Sequence, residues 1–420
     1  MTLWRTLLLL LTAVTWLGGR TVEAVPARDD PPAAPIHSAW PGLWGPDRNG
    51  TATIGLPATP VRVRELWRRP VDGGYGELAV HGDSGYALEL SDGQDLVVAV
   101  ALDTGRERWR YTLGTTYRGH DGSHDGPIST PSVDEKHVYA LSPHGRLVAL
   151  RRDTGAIEWQ HDLVAEFGAS APSYGFATAP LVEGDLLLVQ TGGEKTRGLL
   201  AFDRRDGTLR WSARHGLKGG YASPVAASLA GTRQIVAASG DDLFAVDARD
   251  GRLLWRMDGP GHGDAVANGP IVLPGNRVLF TFWEDSRLVE ITRTGDTFSV
   301  REVWRTPRLR SAYGPVVHRD GFLYGFGGPF LLCLDASTGE VRWRQRLYDG
   351  ALVRVGAHLI VLGQKSGLLR IVDATHEGYR EHLRAEVLPA GVTAMTGPSY
   401  AAGRVYVRTI DEVAAFALEP

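Results

Sequence analysis

Histidines and carboxylates crowd one short stretch of the chain, His120-Asp121-Gly122-Ser123-His124-Asp125, and a smaller group follows at His262-Gly263-Asp264. Imidazole nitrogens and carboxylate oxygens suit a transition metal, so together they could serve a metal-dependent hydrolase or a polysaccharide lyase. Four-residue spacing aligns two histidines on a helix, but this stretch carries glycine and reads as a loop. A solvated polar loop is the competing reading, and no metal ligand or catalytic residue is assigned. Arg308 and Arg310, with Lys218 and the tyrosines Tyr174, Tyr221 and Tyr313, carry a second chemistry. Arginine presents a paired donor fork to a carboxylate, which fits an acidic sugar or a peptide. Asn268 and Trp283 complete this set of candidate ligand-binding residues, and hydrogen bonding between neighbouring loops is the alternative role for each. Phosphate loops, Gly-x-Ser-x-Gly elbows, His-Glu-x-x-His pairs and paired-cysteine motifs are absent, which leaves nucleotide chemistry, acyl transfer and zinc proteolysis without support.

The elements that must position these loops repeat. Five tryptophans stand four residues after a turn glycine: Gly105 to Trp109, Gly155 to Trp159, Gly207 to Trp211, Gly251 to Trp255 and Gly339 to Trp343. Trp304 and Trp67 extend the series, at an average spacing of about 46 residues, the length of a four-stranded propeller blade. Ahead of each turn lies an apolar run such as Leu199 to Phe202, and further upstream an opening such as Ala179-Pro180 or Gly314-Pro315, tolerated at a strand's first residue. The fold expected is all-β, an eight-bladed β-propeller of four-stranded antiparallel blades. Residues 394 to 418 supply only three strands of the last blade. Val61 to Arg69, an outer-type strand around Trp67, is expected to complete it, so that head and tail close the ring and remove an open edge.

The ends divide the chain into residues 1–24, 25–60 and 61–420. Arg5, the apolar run Leu7 to Leu17 and the small-residue pattern ending at Ala24 describe a secretory signal peptide. No cysteine follows that run, so a lipid anchor on an N-terminal cysteine is not expected, and the mature chain reads as soluble, without a transmembrane anchor, in the periplasm or outside the cell. Residues 25–39 are rich in proline and alanine and read as a flexible leader. Trp40-Pro41-Gly42-Leu43-Trp44-Gly45-Pro46-Asp47-Arg48-Asn49-Gly50 is expected to pack on the propeller's flank or one face, since two indoles would not stay solvated. A formal charge of −3 with interspersed acids argues against a nucleic-acid partner.

The repeat of apolar strand, aspartate, Thr-Gly or Asp-Gly and tryptophan, as in Leu200-Ala201-Phe202-Asp203 to Trp211, resembles the pyrroloquinoline-quinone (PQQ) repeat family of propellers. The Trp40 to Gly50 segment is similar to the leader of exported bacterial propellers of the BamB-like kind. The resemblance implies that Trp67, Trp109, Trp159, Trp211, Trp255, Trp304 and Trp343 dock each outer strand against the neighbouring blade. It also raises a quinoprotein dehydrogenase, in which PQQ sits between a tryptophan and a disulfide of adjacent cysteines, with calcium nearby. The chain has one cysteine, Cys333, and cannot form that disulfide. The reading favoured is therefore an exported, non-catalytic binding or assembly scaffold for an envelope protein or glycan, with no cofactor expected. A PQQ-dependent or metal-dependent enzyme using the same central funnel is the alternative.

Overall fold

The computed structural model describes residues 39–56, 59–60, 62–192, 198–261, 267–311, 314–391, 393–394 and 396–420. The expected signal peptide and the leader up to residue 38 lie outside them. Eight four-stranded antiparallel blades follow one another along the chain. Their innermost strands are Ala79–His81, Ser132–Val133, Leu181–Glu183, Val225–Leu229, Ile271–Leu273, Val317–Arg319, Ala351–Val355 and Ser399–Ala401, blades one to eight. Each blade then meanders outward, ending in blade one at Glu107–Thr115 and in blade seven at Glu381–Glu386. Blade eight takes its outermost strand from the other end of the chain: Arg62–Pro70 pairs antiparallel with Glu412–Glu419, from Arg62 opposite Glu419 to Pro70 opposite Glu412. Head and tail thus close the ring, as the sequence predicts.

The two middle strands of each blade are continuous apolar runs because both their faces are covered by adjacent blades. His137–Leu141 is buried throughout, and Leu199–Asp203 likewise. Outermost strands have one wet side and alternate accordingly, as in Val341–Arg346. The core is divided into layers between blades, and its largest cluster joins blades seven, eight and one around Trp40, Trp67 and Tyr406. The seam made by head and tail therefore lies on the most extensive apolar contact of the ring.

One device recurs in every outermost strand. A one-residue bulge precedes the tryptophan position, between Glu107 and Trp109, Ile157 and Trp159, Leu209 and Trp211, Leu253 and Trp255, Glu302 and Trp304, Val341 and Trp343, Glu65 and Trp67, and, where leucine replaces tryptophan, Glu381 and Leu383. A bulge bends its strand and re-aims the next side chain. The indole then reaches the following blade. Trp67 Nε1 donates to the Leu102 carbonyl at 2.9 Å, Trp109 to Arg152 at 3.0 Å, Trp159 to Arg204 at 3.1 Å and Trp211 to Ala248 at 3.2 Å. Trp304 and Trp343 make the same bond to Ala336 and Thr375. Trp255 differs: its Nε1 donates to Gln234 Oε1 within its own blade, at 2.8 Å. The Thr294-Gly295 turn of blade five sits at the tip of a long hairpin, its two outer strands running to Thr294 and from Thr297, and no indole rests on it.

The turn glycines serve the same contact. A Cβ on Gly251 would stand 2.4 Å from Trp211 Cε3, and one on Gly105 would stand 2.6 Å from Trp67 Cε3. Trp67, Trp109, Trp159, Trp211 and Trp304 each lie against the turn glycine of the next blade.

Candidate functional site

In each blade the turn from first to second strand shares a face with the turn from third to fourth. The second-to-third turn and the crossing to the next blade lie on the opposite face. The Trp40 to Ala52 segment enters from the first of these faces and lies across the middle of the ring, deeper than the flank or face position expected from its sequence. It meets the innermost strands of seven blades in turn. Trp40 exchanges two backbone hydrogen bonds with Val80 of blade one, and the Pro41 carbonyl accepts from Val133 of blade two. Arg48 donates to the carbonyls of Ala179 and Pro180 in blade three and Pro224 in blade four, and to Ser132 Oγ in blade two. Trp44 packs with Ile271 of blade five and Val316 of blade six. Thr51–Ala52 then adds to blade seven as a fifth, parallel strand against Arg354 and Val355.

Sharp turning makes this path possible: Trp44 and Arg48 have φ of 59° and 50°, and Gly45, at 82°, leaves no room for a Cβ against the Trp40 ring. Glu77 anchors the segment, its Oε2 accepting from Trp40 Nε1 at 3.3 Å and the Trp44 backbone N–H at 3.0 Å, while Oε1 is buried without a protein partner among the described residues. Burial pushes its carboxyl up to about 8. Sequence reading missed both Glu77 and Arg48. A cleft of about 310 Å³ remains between the segment and the turn of blade two, lined by Arg48, His81, Asp134 and Arg204 among others.

The opposite face carries the predicted loop residues. There the crossings are linked one to the next. Tyr75 Oη donates to the His124 carbonyl at 3.1 Å and receives its backbone N–H. His120 stacks on Tyr174 with centroids 4.9 Å apart, and the Tyr174 N–H donates to Tyr221 Oη at 3.2 Å. Lys218 Nζ donates to the Gly261 carbonyl at 3.4 Å, and Asn268 Nδ2 to the Ser311 carbonyl. An aromatic arc thus runs over blades one to four and continues as polar contacts towards blade six. It is a bound-together rim.

Both ring nitrogens of His120 are committed, Nδ1 to Asp121 Oδ2 at 3.0 Å and Nε2 to the Ser173 carbonyl at 2.8 Å. The Ser173 carbonyl, then Asp121, holds the imidazole above its ordinary value. Asp125 accepts from Gly119 N–H and the Arg118 guanidinium, which hold it below the usual carboxylate range. The loop uses these groups to fix its own shape, and among the described residues they do not assemble as metal ligands. His262, Asp264 and Tyr313 lie outside the described residues. Among the predicted groups that face solvent, Trp283 is 50 % exposed, and Arg308 and Arg310 are exposed with guanidinium groups that have no partner among the described residues. Arg310 is placed by a backbone bridge to Gly327.

The residues present do not fit PQQ as a cysteine-clamped quinoprotein holds it. Cys333 is buried in the third strand of blade six, paired with Tyr324 and Trp343 across the sheet, and burial pushes its thiol up to about 11. It reaches no channel. Among the described residues no helix is long and apolar enough to cross a membrane.

Comparison with known proteins bears on these features. The family model described as outer membrane protein assembly factor BamB matches residues 92–325 and 284–419. The curated outer membrane protein assembly factor BamB of Yersinia pestis is 25% identical over 203 residues, covering 46% of this chain and 47% of that protein, so the match spans about half of each. Among solved structures, BamB from Moraxella catarrhalis superposes with a TM-score of 0.59 at 17% identity, over 85% of this chain and 98% of that one. Quinohemoprotein alcohol dehydrogenase from Comamonas testosteroni gives 0.65 at 16% identity, over 90% and 80%. At such identities the superpositions establish the shared propeller and nothing about chemistry.

Proposed function

The chain belongs to the family of the outer membrane protein assembly factor BamB, and from that premise we propose that it is an exported, non-catalytic scaffold that receives a segment of an envelope protein on its loop-bearing face. The observation that carries this reading is the contrast between the two faces. One is occupied by the chain's own head segment, with Arg48 satisfied by four partners from three blades. The other presents a rim stiffened by loop-to-loop bonds, with Trp283, Arg308 and Arg310 left over.

A rigid rim lowers the entropy lost when a partner docks. An exposed indole and two guanidinium groups supply the residue types that dominate protein interfaces. Arginine there matches a carboxylate-bearing peptide, and an extended segment could lie along the arc from Tyr75 to Tyr221. The same groups would accept an acidic glycan, but membership of an assembly-factor family favours protein. Among the described residues of the rim no group is arranged as nucleophile and base, and His120 spends both nitrogens on structure.

The test is site-specific photo-cross-linking from position 283 in intact cells of the source organism. A discrete adduct with an envelope protein, absent when the cross-linker sits at position 204 on the face that the head segment occupies, is the expected result. No adduct, together with PQQ- and calcium-dependent dye reduction by the purified protein, would replace the scaffold with the quinoprotein reading.

A further inference from the structure

Blade seven departs from its siblings at three positions that meet in space. Its outermost strand has Leu383 where the others carry tryptophan, and the residue skipped by the bulge before it is His382. In blades three, four and six the aspartate at the end of the third strand caps its own turn: Asp203 accepts from the Arg205 N–H at 3.0 Å, Asp247 from Arg249 at 3.0 Å and Asp335 from Ser337 at 2.9 Å. Those turns are short, the aspartate N–H reaching Thr208, Arg252 and Glu340 respectively, whereas the Asp373 N–H reaches across to Arg380. The Asp373 carboxylate has been released from capping. It meets imidazoles instead.

His382 Nε2 lies 2.7 Å from Asp373 Oδ1. His358, directly opposite Asp373 on the second strand, places its Nε2 3.7 Å from the same oxygen. In blades three, four and six the residue opposite that aspartate is Leu186, Gln234 or Phe322, none a metal ligand of this kind. The three ligand atoms fall within 4.8 Å of one another, and the two rings stand nearly perpendicular, 76°, with centroids 5.7 Å apart. Thr59 Oγ1 stands 3.4 Å from His358 Nε2, on the stretch that links the head segment to the closing strand.

We propose that His358, Asp373 and His382 bind a divalent first-row transition-metal ion, of which zinc is the best match. Two imidazoles with one carboxylate are borderline ligands that favour such an ion over calcium or magnesium. Bond lengths of about 2.0–2.2 Å in a tetrahedral site set the donor atoms roughly 3.3–3.5 Å apart. The two histidine–aspartate spacings bracket that range and all three donors lie within 4.8 Å, so side-chain shifts on the order of 1 Å assemble the site. His358 and Asp373 sit on paired strands and His382 on a bulge, which fixes all three backbones beforehand. Water would fill the remaining position on the open side, beside Thr59. The ion would fasten the outermost strand of blade seven where the tryptophan contact is lost.

The full-length mature protein, free of any affinity tag, is titrated with Co²⁺ and followed by the visible bands of the tetrahedral ion, then by Zn²⁺ displacement. Saturation at one equivalent is expected, weakened about tenfold or more by H358A, by H382A and by D373N. Absence of a saturating band, or saturation unaffected by H382A, would overturn the site. His382 is exposed on the bulge of an outermost strand, so H382A is expected to fold, with circular dichroism as the check, and it keeps the test decisive even where H358A does not fold.

Discussion

The Trp40 indole and the Glu77 carboxylate meet in the buried middle of the ring, Nε1 to Oε2 at 3.3 Å, with the Trp44 N–H on the same oxygen at 3.0 Å. One acid therefore holds both tryptophans of the head segment. Among the described residues nothing cationic faces it in return, and desolvation carries its carboxyl from 4.5 up to about 8.

The sign of the pH dependence follows from that shift. Below about pH 4.5 the acid is protonated in folded and unfolded chains alike. Between 4.5 and about 8 the unfolded chain sheds the proton while the fold keeps it, so this group's stability contribution falls as pH rises, and levels off above. Thermal melting at about pH 5 and about pH 8.5 should show a larger loss for the wild type than for Glu77→Gln, which cannot ionise. Parallel curves for the two proteins would refute the assignment.

Gly251 tests the inter-blade contact. Its φ of 72° is costly for alanine wherever it occurs, about 1 kcal/mol. A Cβ there would also stand 2.4 Å from the Trp211 ring, whereas at Gly184, φ 56°, nothing lies within 4 Å. Gly184→Ala should therefore cost about 1 kcal/mol and Gly251→Ala roughly 1–3 kcal/mol more. Urea unfolding measures the difference. Equal costs would mean that the indole does not rest on the turn.

Much of this architecture is written locally. Gly105 and Trp109 announce a turn and an outer strand because positive φ and a large flat ring leave few substitutes, and the unpaired strand around Trp67 announces closure because a blade of three strands is incomplete. The depth of the head segment is not written that way. Arg48 is held by carbonyls of Ala179, Pro180 and Pro224, groups every residue carries, so no side-chain pattern marks the place they converge. The rim is intermediate: His120 and Tyr174 stand out by type, but their stacking is set by loop conformation. His358, Asp373 and His382 are spread over two paired strands and a bulge, and only the missing tryptophan of blade seven hints that the local geometry has been given another use.

The head-to-tail seam carries three exposed ion pairs, Arg62 and Arg64 with Glu419 and Arg68 with Glu412. Pairs in water contribute about 0–1 kcal/mol each. Buried Phe416, on the same strand and 3 % exposed, belongs to the cluster joining blades seven, eight and one. Glu419→Ala should cost under about 1 kcal/mol and Phe416→Ala about 3–5 kcal/mol. Chemical denaturation of both variants gives the comparison, and a costlier Glu419→Ala would show that charge, and not packing, holds the ring shut.

Arg308 and Arg310 allow binding and stability to be separated. Both are exposed and neither guanidinium has a hydrogen bond or ion pair among the described residues, so the double change to alanine should leave the stability within about 0.5 kcal/mol of the wild type. If the rim receives a carboxylate-bearing segment, the same change should weaken capture of the cross-linked envelope partner about tenfold, the loss of roughly 1.4 kcal/mol from one charge-assisted contact. Tyr174→Ala is the counterpart. Its ring stacks on His120, so it should lower both stability and capture. Unchanged capture by the arginine variant with diminished capture by Tyr174→Ala would move the binding surface from the arginines to the aromatic arc.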